Sequence, residues 1–211
     1  FRETGALKYL YEANTLIENL PSPHRERIKI AVTEFGAREF SGKLWPERND
    51  LGHALVNFDM QGHMLLLDRV DFSAFWNTRW FGDDDFACAT FTEKDNALTA
   101  IGKGLSLWGT YLQKQMVETT SNHFSVVPFA SYNPQTKKLN IWLLNKNIDA
   151  EEASLDIRGV AVNSVNVKVF SGKSDADINP EIVDEGALAV HDGKAAPLLL
   201  KPLSITVVEI N

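Results

Sequence analysis

The chain has 211 residues, of which 44% are hydrophobic and 23% charged, with a formal net charge of −7. That composition is ordinary for a globular protein, and a diffuse negative balance argues against a nucleic-acid partner, whose phosphates it would repel. No apolar run approaches the roughly 20 residues that span a bilayer, and a single cysteine, Cys88, allows neither an intrachain disulfide nor a thiolate metal cluster.

In chain order, residues 2–20 place Ala6, Tyr9, Ala13, Leu16 and Leu20 at spacings of 3 and 4, the pattern of one buried helix face, stopped by Pro21 and Pro23. Phe1 stands at the start of that helical pattern, which leads us to expect a fragment or a processed piece. An apolar alternating strand, 28–33, then ends on the carboxylate Glu34. A loop over 35–49 carries Arg38, Glu39, Trp45 and Pro46. Asp50 is placed to cap a second helix, with Leu51, Leu55, Phe58, Gly62 and Leu65 on one seam. Gly62 there would admit a close backbone. A second strand, 69–76, ends at Trp76, and a polar loop, 77–96, runs through Asn77, Arg79, Trp80 and Asp83–Asp85. A third helix shows Leu98, Ile101, Leu105, Trp108 and Leu112, with Asp95 or Asn96 as its cap. Residues 1–115 thus read as alternating helices and strands, an arrangement that implies parallel strands with crossovers.

From residue 116 the period becomes two. "FSVVPFASYN" and "KLNIWLLNKN" flank the turn "PQTK" and read as a hairpin. "EASLDIR", "NSVNVKVF", "ALAVHDGK" and "LSITVVEI" follow at short spacing. Six to eight such strands predict an antiparallel β-sandwich over 116–211. The expected fold class is therefore α/β plus all-β.

Functional groups of parallel α/β sheets gather at the carboxyl ends of the strands. Glu34 stands at one such end, and Trp76, Asn77 and Trp80 at the other. Three of the five tryptophans fall in these two regions. A carboxylate among indoles and hydrogen-bonding groups suits a sugar, whose C–H faces lie on aromatic rings while its hydroxyls need polar partners. Against this stand plainer readings: a strand-end acid is commonly a loop ion-pair partner, and Trp76 can serve packing. Trp108 and Trp142 lie on core patterns. Arg38 and Arg79 have Glu39 and the Asp83–Asp85 run as ready partners, and that acidic run lacks calcium-loop spacing. The histidines, His24, His53, His63, His123 and His191, show no metal spacing. Neither a nucleophile elbow nor a phosphate loop is present. No metal and no cofactor are expected.

The stretch "IAVTEFG" resembles the seventh strand of retaining glycoside hydrolases of the (β/α)₈ clan A. The order of elements continues the resemblance: a helix like "LGHALVNFDMQGHMLLL", the strand "DRVDFSAFWN", a last helix, then an all-β domain with "LNIWLLNKN" and "PLSITVVEI". That combination is similar to α-L-arabinofuranosidases and related β-xylosidases and endoglucanases. The resemblance implies that 1–115 is the C-terminal portion of a (β/α)₈ barrel, that Glu34 is the catalytic nucleophile, and that Trp76 floors the sugar site. Trp45, Asn77, Trp80 and Arg38 are further candidates for substrate contact. The clan's general acid/base sits in an Asn-Glu pair, and no such dipeptide occurs here. A complete barrel needs about 250 residues. The expected partners are accordingly a carbohydrate substrate and the N-terminal remainder of the barrel, as a separate or cleaved chain, without nucleic acid or membrane. A polysaccharide substrate would favour an extracellular or periplasmic setting. A non-catalytic carbohydrate-binding or scaffold protein is the alternative.

Overall fold

The computed structural model describes residues 5, 7–36, 49–79, 89–92 and 94–211. The first half contains α1 (Lys8–Glu18), the short α2 (His24–Arg27), β1 (Ile30–Phe35), α3 (Leu51–Leu65), β2 (Val70–Phe75) and α4 (Ala100–Tyr111). β1 and β2 pair in parallel as a two-stranded sheet. α3 starts where its sequence says it should: the Asp50 carboxylate accepts the backbone N–H of His53 at 3.0 Å, satisfying a donor the helix itself leaves open.

α3 is the centre of this half because it is apolar on two sides. Met60 and Met64 pack with Phe35 and Leu7 toward β1, while Leu51, Ala54, Leu55 and Phe58 join a larger core with Ile101, Leu107 and Trp108 of α4. Gly62 does admit a close neighbour, but the neighbours are rings rather than a backbone. A Cβ there would lie 2.6 Å from Phe129 Cζ and 2.8 Å from Trp108 Cζ2.

Two expectations about helices are corrected. The 3-4-3-4 seam of α1 faces outward: Tyr9 is 76% and Leu16 69% exposed, and Leu20 is exposed as well. Leu7, Leu10 and Tyr11 are the residues turned toward α3. α4 is capped by Thr99, whose hydroxyl accepts the N–H of Gly102 at 3.0 Å, and neither Asp95 nor Asn96 serves. Asp95 instead takes the Thr92 hydroxyl and the Ala97 N–H in a tight turn, in which Asn96 adopts φ 56°. Leu98 is drawn into a bridge with Phe91 and stays outside the helix.

The second half contains β3 (Gln115–Val117), β4 (Val126–Asn133), β5 (Lys138–Asn145), β6 (Glu151–Ala153), β7 (Val165–Ser171), β8 (Glu181–Leu188), β9 (Val190–His191), β10 (Lys194–Ala195), β11 (Leu198–Leu200) and β12 (Ser204–Ile210). Six of them form one antiparallel sheet in the order β3-β4-β5-β12-β7-β8. Period-two alternation splits its side chains between two cores. Phe129, Trp142, Leu144, Phe170, Ile205 and Val207 face α3 and α4. Ala130, Leu139, Ile141, Leu143, Val165, Val167, Val169, Val208 and Ile210 face the other way. That second face is covered by the small β6–β11 pair and by Leu155, Ile157, Val160 and Val162, which belong to no strand. The covering layer is thus short strands and irregular chain, so the segment "EASLDIR" contributes a strand only at its beginning.

Polar contacts bolt the sheet to the helices. The N–H groups of Leu51 and Gly52, at the start of α3, donate to the carbonyls of Asp177 and Asp175, both at 2.8 Å. Lys103 donates to Pro180 O at 2.9 Å, and Asn140 Nδ2 to Tyr111 O at 2.6 Å. Lys146 Nζ lies 3.1 Å from Oδ2 of the buried Asp59. Among the described residues no helix is long and apolar enough to cross a membrane.

Candidate active site

The register of the parallel pair decides where Glu34 points. Val32 pairs with Ser73 and Phe35 with Phe75, so three steps along β1 match two along β2. The extra residue falls within Thr33–Glu34, and such a bulge turns the side chains beyond it to the opposite face. Under strict alternation Phe35 would follow Ala31 and Thr33 outward. Instead it is buried against Phe75, ring centroids 5.5 Å apart, with Met60 and Met64 behind it. Glu34 is left exposed beside Thr33, on the side away from α3. Among the described residues, no hydrogen bond or ion pair engages its carboxylate.

β2 carries a matching irregularity at its start, where Ile30 to Ala31 corresponds to Val70 to Phe72. Its inner face is identified by Ser73, whose hydroxyl donates to Gln61 of α3 at 3.1 Å. Phe72, Ala74 and Trp76 then fall on the same open face as Ala31, Thr33 and Glu34. Phe72 is 52% and Trp76 46% exposed.

The strand ends are held close. Trp76 N–H donates to Phe35 O at 2.8 Å. Gly36 follows at the point of closest approach, where a Cβ would stand 2.7 Å from the Trp76 carbonyl oxygen. The Trp76–Asn77 peptide bond is cis. Asn77 is half-buried, and its Oδ1 has no hydrogen-bond donor among the described residues. The structure therefore gathers Glu34, Trp76 and Asn77 at one end of the parallel sheet. Arg38, Trp45 and Trp80 lie outside the described residues, as do Glu39, Asp83–Asp85 and Cys88. Among the described residues no group of three His, Cys, Asp or Glu side chains is gathered as a metal site would be. Two residues to which sequence reasoning gave no role matter here: Gly36, the last residue of "IAVTEFG", whose smallness lets the strand ends meet, and Asn49, which stands where the chain re-enters the described structure after Glu34. No pattern singles out Asn49.

An exposed carboxylate and a half-exposed indole at one sheet end can together act on a neutral, hydroxyl-rich ligand: the ring receives an apolar face, and the carboxylate reaches an electrophilic carbon or a hydroxyl.

Glycosidases are among the solved structures similar to this fold. The GH51 α-L-arabinofuranosidase of Thermotoga petrophila RKU-1 superposes with a TM-score of 0.76 at 19% identity, over 97% of this chain and 47% of its own. The α-L-arabinofuranosidase of Thermotoga maritima, in its arabinose complex, gives 0.74 at 20% identity, over 96% and 47%. A GH30 endoxylanase of Clostridium papyrosolvens C71 gives 0.64 at 14% identity, over 92% and 46%. The fold is glycosidase-like. It matches the C-terminal part of GH51-like proteins, and the chain spans about half the length of the structures it matches. No protein-family model and no curated protein matches the sequence.

Proposed function

We propose that this chain is the C-terminal part of a retaining glycoside hydrolase, similar to α-L-arabinofuranosidases, that acts on a plant or algal polysaccharide or its oligosaccharides. Glu34 is the nucleophile. The observation that carries this reading is the bulge at Thr33–Glu34, which frees the carboxylate on the open face beside Trp76 while the next residue, Phe35, anchors the strand.

In a retaining mechanism two carboxyl groups stand about 5 to 5.5 Å apart. The Glu34 carboxylate attacks the anomeric carbon as the bond to the leaving oxygen breaks, and the second acid protonates that oxygen. The same second group then removes a proton from water, which displaces Glu34 and releases the sugar. Trp76 receives the apolar face of the sugar, and Asn77 orients its hydroxyls.

The second acid comes from the N-terminal portion of the barrel. Two features support such a partner. The open face exposes Phe72 and Trp76, and α1 exposes Tyr9 and Leu16. Apolar surface of that kind on a two-stranded sheet and its flanking helix calls for further strands and helices to cover it.

The deciding experiment is Glu34→Gln in the full-length protein. Turnover is expected to fall by several orders of magnitude with the fold unchanged, and in the unsubstituted full-length protein a 2-deoxy-2-fluoroglycosyl fluoride is expected to esterify Glu34, as mapped by mass spectrometry. Near-normal turnover in the variant refutes the assignment. Oligosaccharide binding without any turnover in the full-length protein would favour the scaffold reading instead. The 211-residue chain alone is expected to show no hydrolysis.

A further inference from the structure

The chain leaves β1 at Gly36 and returns to the described structure at Asn49; it leaves β2 through Arg79 and returns at Ala89. The two return points are tied to each other. Asn49 Nδ2 donates to Ala89 O at 2.6 Å, and Asn49 Oδ1 accepts the N–H of Ile101 at 2.9 Å in the first turn of α4. Ala89 O also receives the hydroxyl of Thr99 at 2.6 Å, the same hydroxyl that caps α4. Ala89 is fully buried. From there the contacts run on to the end of β2. Thr90 N–H donates to Asn77 O at 3.2 Å, Thr90 Oγ1 to Thr78 O at 3.0 Å, and Phe91 N–H to Thr78 O at 3.1 Å. The packing has no slack: a Cβ on Gly102 of α4 would overlap the Thr90 carbonyl oxygen.

A carboxamide donates from one atom and accepts on the other, so Asn49 can hold a carbonyl and an N–H at once; a carboxylate can only accept. We propose that Asn49 is a positioning residue for the sugar site. Through Ala89 and Thr90 it fixes the end of β2, where Trp76 and Asn77 stand beside Glu34. This inference rests on the assignment of Glu34 and Trp76 to the site.

Asn49→Asp separates the two bonds. Aspartate still accepts from Ile101, where a negative charge at a helix N-terminus is favourable. It loses the donor and sets a carboxylate oxygen against the Ala89 carbonyl. In the full-length protein we expect this variant to fold. Its kcat/KM on aryl α-L-arabinofuranosides and aryl β-D-xylosides is expected to fall roughly ten- to a hundredfold, mostly through KM. Amide exchange at Thr90 and Phe91 is expected to quicken while that at Ile101 holds. Asn49→Ala is expected to quicken all three amides. A purely structural role would lower thermal stability without moving KM.

Glu34→Gln serves as the parallel control: it is expected to abolish turnover and leave exchange alone. Binding of arabino- and xylo-oligosaccharides, by calorimetry, is compared between Glu34→Gln and the Glu34→Gln/Asn49→Asp double variant, and is expected to weaken to the same extent as KM. An active Glu34→Gln would defeat the catalytic reading while exchange at Thr90 and Phe91 still judged Asn49. Wild-type KM and oligosaccharide affinity in the Asn49→Asp variants, or unchanged exchange at Thr90 and Phe91, overturns the proposal.

Discussion

β1 and β2 pair over a few residues and leave Phe72 and Trp76 on an open face, whereas β5 and β12 pair residue for residue from Ser204–Asn145 to Ile210–Leu139 and are covered on both sides. The interrupted sheet carries the candidate chemistry, and the regular one carries the bulk of the core. The contrast follows from what each must do. A sheet closed on both faces leaves no room for a ligand, and a sheet that presents a carboxylate outward gives up part of its own burial.

The sharpest way to break this contrast is a pair of tryptophan truncations. Trp142 is fully buried between Trp108 and the strands, and Trp142→Ala is expected to lower stability by about 3–5 kcal/mol. Trp76→Ala, half exposed on the open face, is expected to cost less, about 1–2 kcal/mol, while weakening oligosaccharide binding. Urea denaturation of both would abolish the distinction if their losses were equal. A second pair lies on one helix. Gly102→Ala would drive a methyl into the Thr90 carbonyl and is expected to cost about 1–3 kcal/mol. Gly109→Ala meets nothing within 4 Å and is expected to raise stability by up to about 1 kcal/mol.

Smaller effects probe the bolts between the halves. Lys146→Met leaves the carboxylate of Asp59, 1% exposed, without its ammonium partner. A loss of about 1–2 kcal/mol is expected, at the low end because Lys146 keeps 41% of its side-chain exposure. Adding Asp59→Asn should recover part of it. Asp177 closes the loop whose carbonyls receive the first N–H groups of α3. The backbone N–H of Lys173 and then that of Asn179 hold its carboxyl below the usual carboxylate range. A depressed folded-state value contributes stability above the unfolded value and loses it as pH falls through the folded one. Asp177→Asn should therefore melt lower than wild type at neutral pH. The gap should close as the pH drops below about 4, and a gap independent of pH would show that the charge is not what holds the loop.

How far the sequence reveals this arrangement differs between elements for physical reasons. α3 is legible because its capping acid and its apolar seam agree, and the β4–β5 hairpin is legible because its alternation runs unbroken through both strands. α1 is not, since it carries two apolar stripes and periodicity cannot say which one finds cover: Leu7, Leu10 and Tyr11 do, Tyr9 and Leu16 do not. The cap of α4 is not readable from residue type because Asp95 spends its Oδ1 on a local turn. At the candidate site, the strand-end position of Glu34 and Trp76 is readable, but the bulge that turns Glu34 outward is not, because register is a property of two strands read together. Asn49 is silent in the sequence for the same reason: its partners lie 40 and 52 positions away.

The aromatic contact between the halves also bears on where such a chain can be divided. Phe58 stacks on Trp108 at 4.6 Å, Trp108 meets Trp142 at 4.4 Å, and Phe129 sets its edge against Phe58 and Trp108. These rings come from α3, α4, β4 and β5, so the seam joins the helix pair to the sheet. A chain divided after Tyr111 would open both sides of that seam to water. The helix pair and its sheet therefore stand as one packing unit.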